Sequence, residues 1–305
     1  GNPPYNKGGI WSHTKKMHNK DRKVIWMDFI KMSFKYLKQN GYLLFIVPLY
    51  WLKINNEIHN LMLENHIMWL KIWDNSQSKS KINADIPISL FVLKNRINKD
   101  EKTEIVSELK RRNLETLSIE FLNKNYSIPL AFQSIFNKLS HFIEINNLFL
   151  EFNSKTVKSI GEKKILHESY DKKDMWAVDT YRIKEGIMVK KVIKEHPDVN
   201  KYKLIIANKA SFIGTFIDKG KLNLTGSNKY YILGDNLELL LKMFNFKLIH
   251  IISHLTKYTQ DFLDKEAFKY IPDIRKLKLN DIDEDKFYKL INLNEKEINQ
   301  IKEFI

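Results

Sequence analysis

The sequence predicts an α/β fold over residues 1–97, an open sheet with helices packed on its faces, and three observations predict it. A helical apolar period runs from Val24 to Gln39, an unbroken apolar run of strand length follows at Tyr42–Pro48, and helix and strand patterns go on alternating as far as "IPISLFVLK".

Taken in order, residues 1–20 read as loop, with prolines and glycines followed by the polar, basic "WSHTKKMHNKDRK". Ile25, Phe29, Met32 and Tyr36 recur every three or four positions, and Asn40-Gly41 is a natural helix stop. "YLLFIVP" is continuously apolar and rich in β-branched and aromatic residues, which predicts a strand buried on both faces. "NNEIHNLMLENH" reads as a helix and "IMWLKIWD" as a strand. The Ser/Lys/Asn stretch "NSQSKSKINAD" reads as a loop, and "IPISLFVLK" as a further strand. The composition turns charged at Asn95–Glu104, which places a domain boundary between residues 97 and 98. Residues 98–305 read as a separate α+β domain. Its expected helices cover Asn113–Asn123, Pro129–Ile143, Asn236–Tyr258 and the last twenty residues, with short strands from "GIMVKKVIK" to "YKLIIANKASFIGTFID".

Composition narrows the function classes. No apolar run approaches the roughly 18 to 20 residues of a membrane span, and no secretory signal pattern is visible. The absence of cysteine excludes disulfides and thiolate metal sites, and no metal site is expected. A net charge of +15, from 51 Lys and Arg against 36 Asp and Glu, points to a polyanionic partner such as nucleic acid. The competing reading is lysine and asparagine excess from an AT-rich coding sequence.

The densest chemical signal is "GNPPY" at residues 1–5. Two consecutive prolines fix φ at both positions and bias Asn2 toward an extended backbone, so the segment is rigid before anything binds. Prolines carry no N–H, which leaves their carbonyls as acceptors; Asn2 adds a side-chain carbonyl and Tyr5 an aromatic face. Such a set suits a planar group bearing an exocyclic amine. Acceptors at Asn2 and Pro3 that take both hydrogens of an adenine amino group would stabilise the positive charge that its nitrogen develops during attack. A base stacked on Tyr5 would gain about 1–3 kcal/mol. The alternative is a rigid turn without chemistry.

On "NPPY", "NGYLLFIVP" and "ADIPISLFVLK", the sequence resembles the S-adenosylmethionine-dependent adenine-N6 DNA methyltransferases, and in particular the gamma group that includes type IIG restriction-modification enzymes. Residues 1–97 then resemble the C-terminal half of a Rossmann-like methyltransferase sheet. Residues 98–305 resemble a target-recognition domain, with "NLELLLKMFNFKLIHII" and "FKYIPDI" similar to its late helix and closing segment. The resemblance implies methyl transfer from S-adenosylmethionine to N6 of an adenine flipped out of duplex DNA, with Asn2, Pro3, Pro4 and Tyr5 as the catalytic residues. It also implies double-stranded DNA as partner, an endonuclease domain or subunit alongside, a monomer, and a location in the cytoplasm or wherever host or viral DNA resides. The candidate DNA contacts are Lys15, Lys16, Lys190, Lys191, Lys209, Asn228 and Lys229.

Two departures matter. The family often places an aromatic residue near the start of its late strand motif, whereas this sequence has Lys81 and Ile82 there, and Phe91 is the nearest aromatic. The glycine sites after the motif include no Gly-x-Gly that follows a strand and opens a helix. The expectation is therefore a fragment without the cofactor-binding half, inactive alone, whose cofactor contacts are confined to Asn2 and Pro3. Two other functions remain open: a non-catalytic DNA-specificity module, and a methyltransferase acting on RNA adenine or protein glutamine.

Overall fold

A computed structural model of the chain describes residues 1–5, 24–97, 102–109, 112–113, 117–119, 126–166, 175–182, 186–207, 213–226, 229–258 and 263–304. The architecture is mixed α/β, in two compact units: Gly1–Gln133 with Tyr258–Gln260, and Ser134–Lys257 with Asp261–Ile305.

In the first unit, helix α1 (Trp26–Tyr36) buries Trp26 and Ile30 and carries Asp28 in its first turn, where a carboxylate suits the helix dipole. It ends at Leu37, whose backbone turns extended, and Asn40 then takes a left-handed conformation with φ 63°. Asn95 fastens that turn: its amide side chain donates to the Leu37 carbonyl at 2.8 Å, and its backbone nitrogen donates to the Gly41 carbonyl at 2.8 Å. Strand β1 (Tyr42–Pro48) coincides with the expected run. Only one of its faces is closed, however: Leu43 and Val47 are buried while Tyr42 and Leu44 stand 59% and 58% exposed, which corrects the expected burial on both faces. Helix α2 (His59–Leu63) is shorter than its apolar pattern, and strand β2 (Asn65–Trp73) follows it.

The stretch expected as loop is helix α3 (Asn75–Ile82). Its composition is polar, but Asp74 caps its first turn by accepting from the Gln77 amide at 2.9 Å, and Asn83 ends it with φ 55°. The Lys81 ammonium then lies 5.4 Å from the Trp73 ring centre and 3.2 Å from the Glu108 carboxylate, packing the helix on the sheet.

Strand β3 (Ile88–Ile97) runs antiparallel between β1 and β2, which are therefore parallel to each other. Strand β4 (Thr103–Leu109) adds in parallel beside β2, and the short β5 (Arg112–Asn113) and β6 (Leu117–Ile119) pair antiparallel with β4. Within Asn113–Asn123 the described residues are thus strand, not the expected helix: the backbone of 117–119 pairs antiparallel with that of 103–105. The sheet order is β1-β3-β2-β4-β5. The unit runs past the expected boundary at residue 97: Ile128 donates to the Leu52 carbonyl at 2.9 Å and the Ser107 hydroxyl to the Leu130 carbonyl.

In the second unit, helix α4 (Gln133–Ile145) precedes strands β7 (Ser159–Ile165), β8 (Trp176–Arg182), β9 (Gly186–Val192), β10 (Tyr202–Ala207), β11 (Gly214–Lys219), β12 (Asn223–Leu224) and β13 (Lys229–Leu233). They form two sheets, β12-β8-β9-β7 and β11-β10-β13. Val178, Val189, Leu222 and Leu224 pack with Ile205 and Tyr231 into one shared core. The expected single helix over Asn236–Tyr258 is two, α5 (Leu237–Phe244) and α6 (Lys247–Leu255), because Phe246 adopts an extended backbone between them. Helices α7 (Glu284–Leu290) and α8 (Glu295–Phe304) close the unit.

Candidate functional site

The Asn-Pro-Pro-Tyr segment leaves the sheet at a defined place. The Gly1 nitrogen donates to the Leu44 carbonyl, and the Ile46 nitrogen donates to the Gly1 carbonyl at 3.0 Å, the pattern of a parallel bridge opposite Phe45. Residues 2–5 thus run in the direction of β1, toward the edge where β1 and β2 both end. In open α/β sheets that carboxyl edge is where ligands bind.

Along the segment Asn2 and Pro4 are exposed, Pro3 is buried and Tyr5 is half-buried. Asn2 is thus open to solvent, while the buried Pro3 anchors the backbone. The Tyr5 carbonyl accepts from the Ile25 nitrogen at 3.1 Å, joining the end of the motif to the start of α1. The Tyr5 hydroxyl is enclosed and has no hydrogen-bond partner among the described residues, and burial pushes its pKa up to about 12. It therefore stays protonated at neutral pH, and Tyr5 has only an uncharged ring to offer.

Beneath the motif lies a row of aromatic side chains. Phe45 meets Phe91 edge to face at 6.4 Å, and Phe91 meets Trp51 edge to face at 6.1 Å. Phe91 is fully buried, so it is a core residue and not a stacking partner for a ligand. The Trp51 indole N–H donates to the Ser89 hydroxyl at 2.8 Å, and the Ser89 hydroxyl donates to the Val47 carbonyl at 3.3 Å. His59, also fully buried, has Nδ1 2.9 Å from the Trp51 carbonyl; a carbonyl only accepts, so this nitrogen carries the proton. Sequence reading missed Phe45 and Trp51 as parts of the site. Their signal was parity: Phe45 alternates with the buried Leu43 and Val47, so it faces the same side as they do.

Residues 1–79 match the family described as Eco57I restriction-modification methylase. The segment that matches includes the motif, α1, β1, α2 and β2, and most of α3. No curated protein matches the sequence. Among solved structures, the type IIL restriction-modification enzyme MmeI in complex with DNA is 10% identical with a TM-score of 0.41, over 83% of this chain and 42% of its own. The type IIG restriction endonuclease BpuSI is 10% identical with a TM-score of 0.33, over 89% and 44%. The type ISP restriction-modification enzyme LlaGI, in a nuclease-deletion form with a DNA substrate mimic, is 12% identical with a TM-score of 0.39, over 87% and 38%. The chain thus spans about four tenths of the length of these structures.

Methylases of this kind imply S-adenosylmethionine, whose cradle is a glycine turn between a strand and a helix. Among the described residues Gly234 is the glycine in that position, between β13 and α5. It does not fit the cofactor. Arg275 fills the turn, donating to the Leu233 carbonyl at 3.0 Å and the Asp235 carbonyl at 3.4 Å, and a Cβ at Gly234 would sit 3.0 Å from Arg275 Nη1. Asp273 holds that guanidinium in place through two contacts of 2.8 Å. Among the described residues no group of three or more His, Asp or Glu could hold a metal ion, and no helix is long and apolar enough to cross a membrane.

Of the lysines and asparagine singled out for DNA, Lys15, Lys16, Lys209 and Asn228 lie outside the described residues. The structure brings Lys190 and Lys229 together around Asp179. Burial would raise the pKa of that carboxyl, but an ion pair with Lys163 at 2.5 Å and the fields of Lys229 and Lys190 hold it below the ordinary range. Lys229 is buried, at 3% exposure, and so presents little of its ammonium to a ligand. Lys191 is exposed, paired across the sheet from Trp176, with its ammonium 5.1 Å from that ring centre. Lys190 and Lys191 are adjacent in β9 and thus point to opposite faces.

Proposed function

We propose that this chain holds the target base and reads the site in a DNA adenine-N6 methyltransferase of restriction-modification type. The observation that carries the reading is the placement of Asn2–Tyr5 at the carboxyl edge of β1 and β2, within the segment that matches the methylase family. The chain's own residues serve the acceptor side of the reaction. The Asn2 side-chain carbonyl and the Pro3 carbonyl take the two hydrogens of the adenine amino group and draw its lone pair out of the ring. Pro4 keeps the segment stiff, and the ring of Tyr5 stacks on the extruded base. The amine loses its proton after transfer, so no side-chain base is required. Of this chain's residues, Asn2 and Pro3 are the ones that would touch S-adenosylmethionine, which would supply the methyl group.

In this reading residues 98–305 provide the DNA-specific surface. Lys191 offers an exposed ammonium and Lys190 a half-buried one; Lys15, Lys16, Lys209 and Asn228, proposed as DNA contacts from the sequence, lie outside the described residues, and Lys229 is buried. The presence of both the motif and a long second unit favours DNA over the release-factor or RNA substrates of other Asn-Pro-Pro-Tyr enzymes.

The test is Asn2→Ala, compared with the unsubstituted protein. Binding to duplex DNA should persist, while N6-methyladenine, measured by mass spectrometry of digested product, should fall about 10²- to 10³-fold, the usual cost of removing one acceptor or donor aimed at developing charge. Methylation at a near wild-type rate, or label appearing in RNA or protein instead of DNA, would overturn the assignment.

A further inference from the structure

The residue before the motif is held in two directions. Along the sheet, Gly1 is locked by its bridge to Leu44 and Ile46. Perpendicular to the sheet, what limits it is the ring of Phe45. A Cβ built on Gly1 would lie 2.7 Å from Phe45 Cε1 and 3.0 Å from Cδ1, closer than real side chains approach, so the backbone of Gly1 rests directly on that ring. The ring is half-buried, and toward the core its way is closed. Phe91 blocks it edge-on, Trp51 blocks Phe91, and Ser89 fixes the Trp51 indole at 2.8 Å, with Trp51 and Phe91 both fully buried. Densely packed interiors transmit such constraints rather than absorb them.

We propose that Gly1 and Phe45 form a size-matched pair that sets the height of Asn2–Tyr5 above the sheet, and that Phe45 is a positioning residue for the motif. Its catalytic consequence rests on the function proposed above; the pairing itself does not. Relieving a 2.7 Å contact requires the segment to lift by roughly 1 Å, and a misplacement of that size costs about 10²-fold in rate.

The experiment compares the wild type with Gly1→Ala, Phe45→Leu and the double variant. The first readout is the urea midpoint of unfolding, which needs no activity. Each single change should lower it, and the double variant should lie above the sum of the two losses, since the smaller leucine side chain vacates the space that the added alanine methyl needs. Additive midpoints would overturn the pairing. The second readout is methyl transfer: Gly1→Ala should lower kcat about 10- to 100-fold with the Kd for DNA unchanged within about threefold, and adding Phe45→Leu should restore kcat at least about tenfold. An unchanged kcat in Gly1→Ala would overturn the positioning role. If the wild type fails to methylate DNA, the proposed function falls, while the midpoints still decide the pairing.

Discussion

Lys203 and Asp218 provide the sharpest test of how the second unit is held together. Both side chains are completely enclosed, at 0% and 1% exposure, with Lys203 Nζ 2.5 Å from Asp218 Oδ2. The ammonium also donates to the carbonyls of Asp198, Val199 and Lys201 at 3.2, 3.1 and 3.3 Å. The carboxylate accepts from the backbone nitrogens of Lys221 and Leu222, each at 3.1 Å. The pair thus closes the loop before β10 and the turn after β11. Burial holds the Lys203 pKa below its ordinary range despite the carboxylate beside it, so desolvation outweighs attraction at this site.

Removing one partner strands the other charge in the interior, which costs about 3–5 kcal/mol. Asp218→Ala also orphans two backbone donors and should fall at the upper end of that range. Lys203→Met should fall at the lower end, because the Lys221 and Leu222 amides still solvate Asp218. The double change Lys203→Met with Asp218→Leu removes both charges and should recover at least about 2 kcal/mol against the sum. For a unit of this size each kcal/mol shifts the midpoint by roughly 2–4 °C, so Asp218→Ala should lower Tm by about 10 °C or more. Calorimetry of the four proteins is the assay. A cost below about 1 kcal/mol for Asp218→Ala, or a double variant that is strictly additive, would refute the reasoning.

Two further outcomes follow from buried polar groups in the same unit. His196 accepts from the Asp198 amide through Nδ1 at 3.0 Å and donates to the Lys155 carbonyl through Nε2 at 3.0 Å, and burial lowers its pKa below the ordinary value near 6.5. A depressed folded-state pKa means that the unfolded chain binds the proton more readily. The stability from this group is then complete above about pH 6.5 and is lost as pH falls through the lower folded value. The urea midpoint should drop between about pH 7.5 and about pH 5.5, and His196→Gln should flatten that drop; an unchanged slope would count against the assignment. Glu297 closes a reciprocal cap on α8, accepting from the Asn294 nitrogen at 2.8 Å while its own nitrogen donates to the Asn294 side chain at 2.9 Å, and it pairs with Lys138 at 2.7 Å. Glu297→Ala should cost about 2–3 kcal/mol, a cap of roughly 1 kcal/mol plus a partly buried ion pair, and Lys138→Ala in that background should cost almost nothing more.

Where local chemistry decides structure, the elements were legible from sequence. Strand β1 matched its predicted bounds because an unbroken apolar run sits between a helix-stopping Asn-Gly and a proline. Helix α3 was not legible, since no apolar period marks "NSQSKSKI"; an Asp cap, a left-handed Asn and the packing of Lys81 on Trp73 make it a helix. The break between α5 and α6 was hidden for the opposite reason, since apolar residues continue through "MFNFKL" and only the backbone of Phe246 turns away. At the candidate site the Asn-Pro-Pro-Tyr run stands out in the sequence by its two prolines. What supports it does not, because the apolar run that contains Phe45 does not say which backbone will rest on its ring, and nothing local marks Lys229 as buried.

The charge excess shows how composition overstates a binding surface. Many lysines of the second unit neutralise acids of the same unit: Lys203 with Asp218, Lys138 with Glu297, Lys163 with Asp179, Lys201 with Asp198 and Lys242 with Asp281. In three of these pairs, at Asp218, Glu297 and Asp179, the acid is at most 11% exposed, so these lysines serve packing and caps. A net charge of +15 therefore does not say which cations the fold leaves at the surface. Lys191 is one cation left at the surface: it is exposed, with its ammonium 5.1 Å from the centre of the Trp176 ring.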